Sequence, residues 1–89
     1  MKMGNDDLKK ITEIKQYLLD PPVSFKLYDY ALTYLNDAIS VLNDYPAAKD
    51  VSDYLQNISL EIENKNLSTD ELRKALKDAG IKISTLTNK

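Results

Sequence analysis

The sequence predicts an all-α protein, an antiparallel four-helix bundle with a short extended C-terminal tail. Three observations carry that expectation. Apolar residues recur at three- and four-residue spacing in four separate stretches. Start and stop signals bound each stretch. The connections are short, the condition under which consecutive helices pack antiparallel. The reading places helices at about 6–19, 25–43, 46–63 and 69–79 and a tail at 81–89, within one domain of 89 residues.

The first helix is signalled by Asn5, Asp6 and Asp7, a cap and two acids at a helix start, followed by Leu8, Ile11, Ile14 and Leu18 on one face. It stops at "DPPVS", because Pro21 and Pro22 remove two amide donors and push Asp20 out of helical geometry. Ser24 is placed to cap the second helix, where Tyr28, Ala31, Leu32, Leu35, Ala38, Ile39 and Leu42 form a broad apolar face. The turn "NDYP" follows. Pro46 suits the first turn of the third helix, which carries Val51, Tyr54, Leu55, Ile58 and Ile62 inward.

The fourth helix is the most fully marked. Ser68 and Glu71 have the spacing of a capping box, in which each side chain satisfies a backbone N–H left open at the helix start. Leu67 and Leu72 flank it as a hydrophobic staple. Leu72, Ala75, Leu76 and Ala79 make the buried stripe, and Arg73, Lys74 and Lys77 fall outside it. Gly80 suits the left-handed residue that ends a helix, with Ile81 touching Leu76. Beyond it, "IKISTLTNK" is rich in β-branched residues, so the expectation is an extended tail anchored by Ile81 and Ile83, or else a frayed terminus.

Composition narrows the function. A chain of this length buries roughly 60 to 70 % of the surface its unfolded form exposes, so the core is small. Histidine, cysteine and tryptophan are all absent. That removes the commonest general base, the thiol nucleophile and the soft metal ligands. The acids that stand close together, Asp6 with Asp7 and Glu61 with Glu63, read as helix-start and surface residues, and no P-loop, EF-hand or dinucleotide fingerprint occurs. The expectation is a binding protein and not an enzyme, with no catalytic residues, no metal and no cofactor. No apolar run approaches the roughly 18 residues of a membrane span, and Met1 to Leu8 lacks the apolar stretch of a secretory signal. The cytoplasm is therefore the expected compartment, and a monomer the expected state.

The net charge of −2 is unevenly spread. Residues 26–63 hold two bases and seven acids, a balance of −5, whereas 64–89 hold six bases and three acids, a balance of +3. A basic cap on an acidic body steers association toward an acidic or anionic partner. The candidate contact residues are accordingly Lys65, Arg73, Lys74, Lys77, Ile81, Lys82 and Ile83. Tyr30 and Tyr34, one turn apart and off the main stripe, form a second, aromatic candidate patch, or else part of an amphipathic rim to the core. "LRKALKDAGIKISTL" can also be laid over a helix-turn-helix with its turn at Gly80. A recognition helix from Lys82 would run out at Lys89, however, and the acidic body repels phosphates, so no specific nucleic-acid binding is expected.

The order of a first helix, "DPPVSFKLYDYALTYLNDAISVLNDY", "DVSDYLQNISLEI", "NKNLSTDELRKAL" and "AGI" resembles the cytosolic immunity proteins of pediocin-like (class IIa) bacteriocins, over roughly Leu8 to Ile83. Its best points are the Asn-Lys-x-x-Ser/Thr-x-x-Glu connection from Asn64 to Glu71 and the paired leucines and tyrosines of the second helix. The resemblance implies a four-helix bundle that protects a producing cell from its own pore-forming peptide. It also implies action at the cytoplasmic face of the membrane on the complex of bacteriocin with a mannose phosphotransferase permease, with recognition in the C-terminal half. The competing reading is a small helical accessory subunit of a larger cytoplasmic assembly, such as replication or transcription machinery.

Overall fold

Local signals and packing agree over most of the chain. The computed structural model describes residues 3–21 and 27–87. Among them are four α-helices, α1 (Asn5–Leu19), α2 (Leu27–Leu42), α3 (Lys49–Asn64) and α4 (Thr69–Thr87), and a 3₁₀ turn over Pro46–Ala48 that leads into α3. Strands are absent among the described residues. The protein is an all-α bundle. No helix among the described residues is long and apolar enough to cross a membrane.

Contacts far apart in sequence set the helix directions. The Gly4 N–H donates to the Tyr45 hydroxyl at 3.2 Å, so the start of α1 sits beside the α2–α3 turn. Lys82 of α4 lies over the ring of Tyr54 in the second turn of α3. At the other end, Arg73 donates to the Pro21 carbonyl at 3.2 Å, which puts the first half of α4 beside the exit of α1. Neighbouring helices therefore run antiparallel, with the most extensive packing between α1 and α4 and between α2 and α3.

The core is built from the predicted stripes. Ile11, Ile14 and Leu18 of α1, Ala31, Leu35, Ala38 and Leu42 of α2, Val51, Leu55 and Ile62 of α3, and Leu72, Leu76 and Ala79 of α4 are all buried. Tyr54, Ile58, Leu32 and Ile39 pack against this cluster from its edges. Two stripe residues lie outside it: Leu8 and Tyr28 are both exposed.

Helix boundaries follow the local chemistry with instructive exceptions. Asp20 leaves helical geometry at φ −144° and ψ 68° immediately before Pro21, as the proline requires. The start of α1 is not capped by the Asn5 side chain. Gly4 occupies the cap position and supplies no side-chain capping bond, and Asn5 is already helical. The Tyr45 phenol ties this end down instead, accepting from the Gly4 N–H and donating to the Asp7 carboxylate. The expected cap at Ser24 lies outside the described residues.

The largest correction concerns the C-terminal segment. It is not an extended tail. Helix α4 continues without interruption through Gly80 to Thr87, and no glycine among the described residues has a positive φ. Gly80 is buried for another reason. A Cβ there would stand 2.8 Å from the Leu19 Cγ and 3.2 Å from the Leu19 backbone nitrogen, so only glycine lets the end of α1 approach α4 this closely. The hydroxyl residues beyond it fit inside the helix: Ser84 donates to the Gly80 carbonyl at 3.0 Å and Thr85 to the Lys82 carbonyl at 2.7 Å. Ile83, at 0 % exposure, joins the core.

Candidate functional site

Helix α4 is fixed at both ends of its length before it presents anything outward. At its start the Ser68 N–H donates to the Glu71 carboxylate at 3.0 Å and the Glu71 N–H to the Ser68 hydroxyl at 3.2 Å. These two bonds complete the predicted capping box and hold the Glu71 carboxyl below its usual range, chiefly through the Ser68 backbone N–H. Leu67 and Leu72 both pack on the core, as the staple requires. At its far end Ile83 and Leu86 do the same.

The structure divides the predicted contact residues into three groups. Lys74, Lys77 and Ile81 stand together: spacings of three and four residues put them in one row on the outer face, and all three are exposed. Ile81 is 51 % exposed, an aliphatic side chain among lysines and not the anchor of a tail. Arg73, Lys82 and Lys65 form the second group, each with a partner in the bundle. Arg73 is half-buried on the α1 side and holds the Pro21 carbonyl. Lys82 places its ammonium 5.4 Å from the centre of the Tyr54 ring on the α3 side. Lys65 pairs with Glu61 at 3.5 Å in an exposed contact that adds little stability. The third group is Ile83 alone, which the core consumes and no partner can touch.

A cleft of about 290 Å³ opens between α3 and α4, with Ile58 and Leu67 in its lining and Glu61, Glu71, Lys74 and Asp78 around it. The basic row thus has acids along its α3 edge. This arrangement suits a partner surface of mixed charge better than a phosphate backbone, whose affinity comes from undiluted positive charge. The helix-turn-helix alternative also loses its geometry, since the turn it needs at Gly80 is continuous α-helix.

No family model, curated protein or solved structure matches this chain.

The aromatic patch is arranged differently from the expectation. Tyr30 is exposed, but Tyr34 turns inward and stacks on Tyr17 of α1, with ring centroids 4.1 Å apart and planes at 26°. That stack closes the α1–α2 seam. The Tyr17 hydroxyl is buried without a hydrogen-bond partner among the described residues. Burial pushes its phenol up, the neighbouring Tyr34 and Tyr30 add to the effect, and Arg73 opposes it. Sequence reading missed both Tyr17 and Tyr45. Tyr17 adjoins the apolar position Leu18 on the flank facing α2, a signal visible in the periodicity. Tyr45 left no such mark, because its partners Gly4 and Asp7 are about forty residues away.

Proposed function

We propose that this chain is an immunity protein of the pediocin-like bacteriocin type. It acts as a monomer at the cytoplasmic face of the membrane on the complex of the bacteriocin with a mannose phosphotransferase permease. The outer face of α4 is the contact surface. The observation that carries this reading is the row Lys74, Lys77 and Ile81 on a helix clamped by a reciprocal cap and a buried C-terminal turn. A rigid helix presenting two cations and one exposed aliphatic side chain loses little conformational entropy on docking. With acids along one edge, its chemistry matches a partly apolar protein surface of mixed charge. The four-helix architecture and the Asn64 to Glu71 connection support the same family. Lys65, Arg73 and Lys82 border the row and contribute through their positions in the bundle.

The test is expression inside a bacterium sensitive to class IIa peptides. Protection against at least one peptide of a panel, with sensitivity to others retained, is the expected result. The double change Lys74→Glu and Lys77→Glu should abolish protection and change stability by no more than about 0.5 kcal/mol per site, as surface substitutions do. Arg73 is left intact, because reversing its charge also removes the bond to Pro21. Equal killing of expressing and non-expressing cells across the panel would defeat the assignment and leave the accessory-subunit reading. Protection that survives the double reversal would keep the function and move the site elsewhere.

A further inference from the structure

The α2–α3 side of the bundle carries a recess of its own. Asn36 and Ile39 of α2 and Gln56, Ser59, Leu60 and Glu63 of α3 line a groove of about 270 Å³. Ile39 is half-buried against the core at this groove. Leu60, at 55 %, is the most exposed large hydrophobic side chain among the described residues. Ser59 is buried at the α2–α3 seam, and its small side chain leaves the space that a larger residue would fill. Its hydroxyl donates to the Glu63 carboxylate at 3.4 Å, which places that carboxylate at the groove edge.

The two helices that form this groove are acidic overall, and the charged residue in its lining is Glu63. Helix α2 carries two acids and no base, and α3 carries four acids and one base, so the pair totals −5. The one base, Lys49, is held by Asp53 at 3.1 Å. An exposed aliphatic residue by itself is ordinary on a protein surface. Here it stands over a recess with a second aliphatic residue inside it and the Glu63 carboxylate at the edge. Anionic lipid surfaces and nucleic acids carry the wrong sign for such a face.

We infer that the α2–α3 groove docks a cationic segment of a partner protein, an amphipathic helix that sets an aliphatic side chain between Ile39 and Leu60 and its Lys or Arg residues against Glu63 and the net negative charge of α2 and α3. A second copy of this chain would offer similar chemistry in Ile81 with Lys74 and Lys77. That contact joins two different surfaces, however, and extends into open filaments unless its rotation closes a ring. The proposal is independent of the role given to α4.

The experiment is a nuclear magnetic resonance titration of the isotopically labelled full chain with a synthetic helical leucine–lysine peptide, and with a leucine–glutamate peptide of the same spacing. Amide shifts centred on Asn36, Ile39, Gln56, Leu60 and Glu63 with the first peptide, and none with the second at equal concentration, are expected. Leu60→Ser should weaken binding about tenfold, the equivalent of about 1.4 kcal/mol. Ile81→Ser should leave it unchanged. Glu63→Gln, milder in its effect on packing, should weaken binding in the same direction and keeps the test sound if Leu60→Ser perturbs the fold. Shifts spread over every acidic residue, or a Leu60→Ser affinity equal to the parent's, would overturn the proposal. So would concentration-dependent self-association in sedimentation equilibrium that Leu60→Ser abolishes, which would assign the groove to a second copy.

Discussion

The α1–α4 seam and the α2–α3 seam use small residues in opposite ways. At the first, Gly80 lets Leu19 come within contact of the α4 backbone, and the seam closes into the most extensive packing of the bundle. At the second, Ser52 and Ser59 are buried: Ser52 donates to Asn43, just beyond the end of α2, at 2.9 Å, whereas Ser59 bonds within its own helix, to Glu63 at 3.4 Å. A groove remains beside Leu60. At Gly80 the bulky Leu19 fills the space of the missing side chain, whereas at Ser59 the short side chain bonds to Glu63 on its own helix and leaves a recess. Charge divides along the same line. Helices α1 and α4 together hold six acids and seven bases, a balance of +1, against −5 for α2 and α3.

If the two halves share one core, truncation in either should be equally severe. Leu55→Ala and Ile83→Ala should each cost about 2 to 5 kcal/mol in denaturant unfolding, since both side chains are fully buried. An Ile83→Ala loss under about 0.5 kcal/mol would mean that α4 does not pack past Gly80.

The closed seam can be opened directly. Gly80→Ala gains up to about 1 kcal/mol of helix propensity but overpacks against Leu19, an effect of about 1 to 3 kcal/mol, so the net result should be destabilising. Adding Leu19→Ala should recover part of the loss, and a double-mutant cycle measures the coupling. Additive losses would break the claim that this contact closes the seam.

The capping box offers a finer comparison. Ser68→Ala should cost about 1 kcal/mol and leave the α2–α3 half untouched, which amide exchange would report. Its partner Glu71 has a lowered pKa. The folded chain therefore holds that proton less tightly than the unfolded one, so the stabilisation is present above the unfolded value and lost as pH falls through the folded one. Glu71→Gln should remove that part of the acid-side decline in melting temperature.

Tyr45 gives the smallest effect and the opposite pH sign. Its hydrogen bond to Asp7 raises the phenol's pKa, with the Gly4 N–H opposing. The contribution is complete below the ordinary phenol range and disappears as pH rises through the raised value. Tyr45→Phe should flatten the alkaline side of the stability profile and speed exchange in the first turn of α1.

Much of the candidate site was legible from residue order. Helix periodicity put Lys74 and Lys77 on one face, and the Ser68–Glu71 spacing announced the cap that holds them. Three facts were not legible. Ile81 points outward and Ile83 inward because α4 stays helical, whereas an extended tail would have put both on one side. Arg73 is occupied by a carbonyl fifty-two residues away. The groove at Leu60 depends on how α2 lies against α3, which no local pattern encodes.

The sequence by itself determined four helices, the capped start of α4, the proline stop after α1 and nearly all of the core, because those features rest on caps, prolines and periodicity acting within a few residues. Tertiary structure decided where α4 ends. Gly80 and a run of β-branched residues weigh against a helix locally, by up to about 1 kcal/mol for the glycine and less for each β-branched residue. Continuing the helix buries Ile83 completely and packs Leu86 on the core. Full burial of one such side chain contributes about 1.5 to 3 kcal/mol. The close approach of Leu19 turns the glycine from a stop signal into the residue that lets α1 and α4 meet.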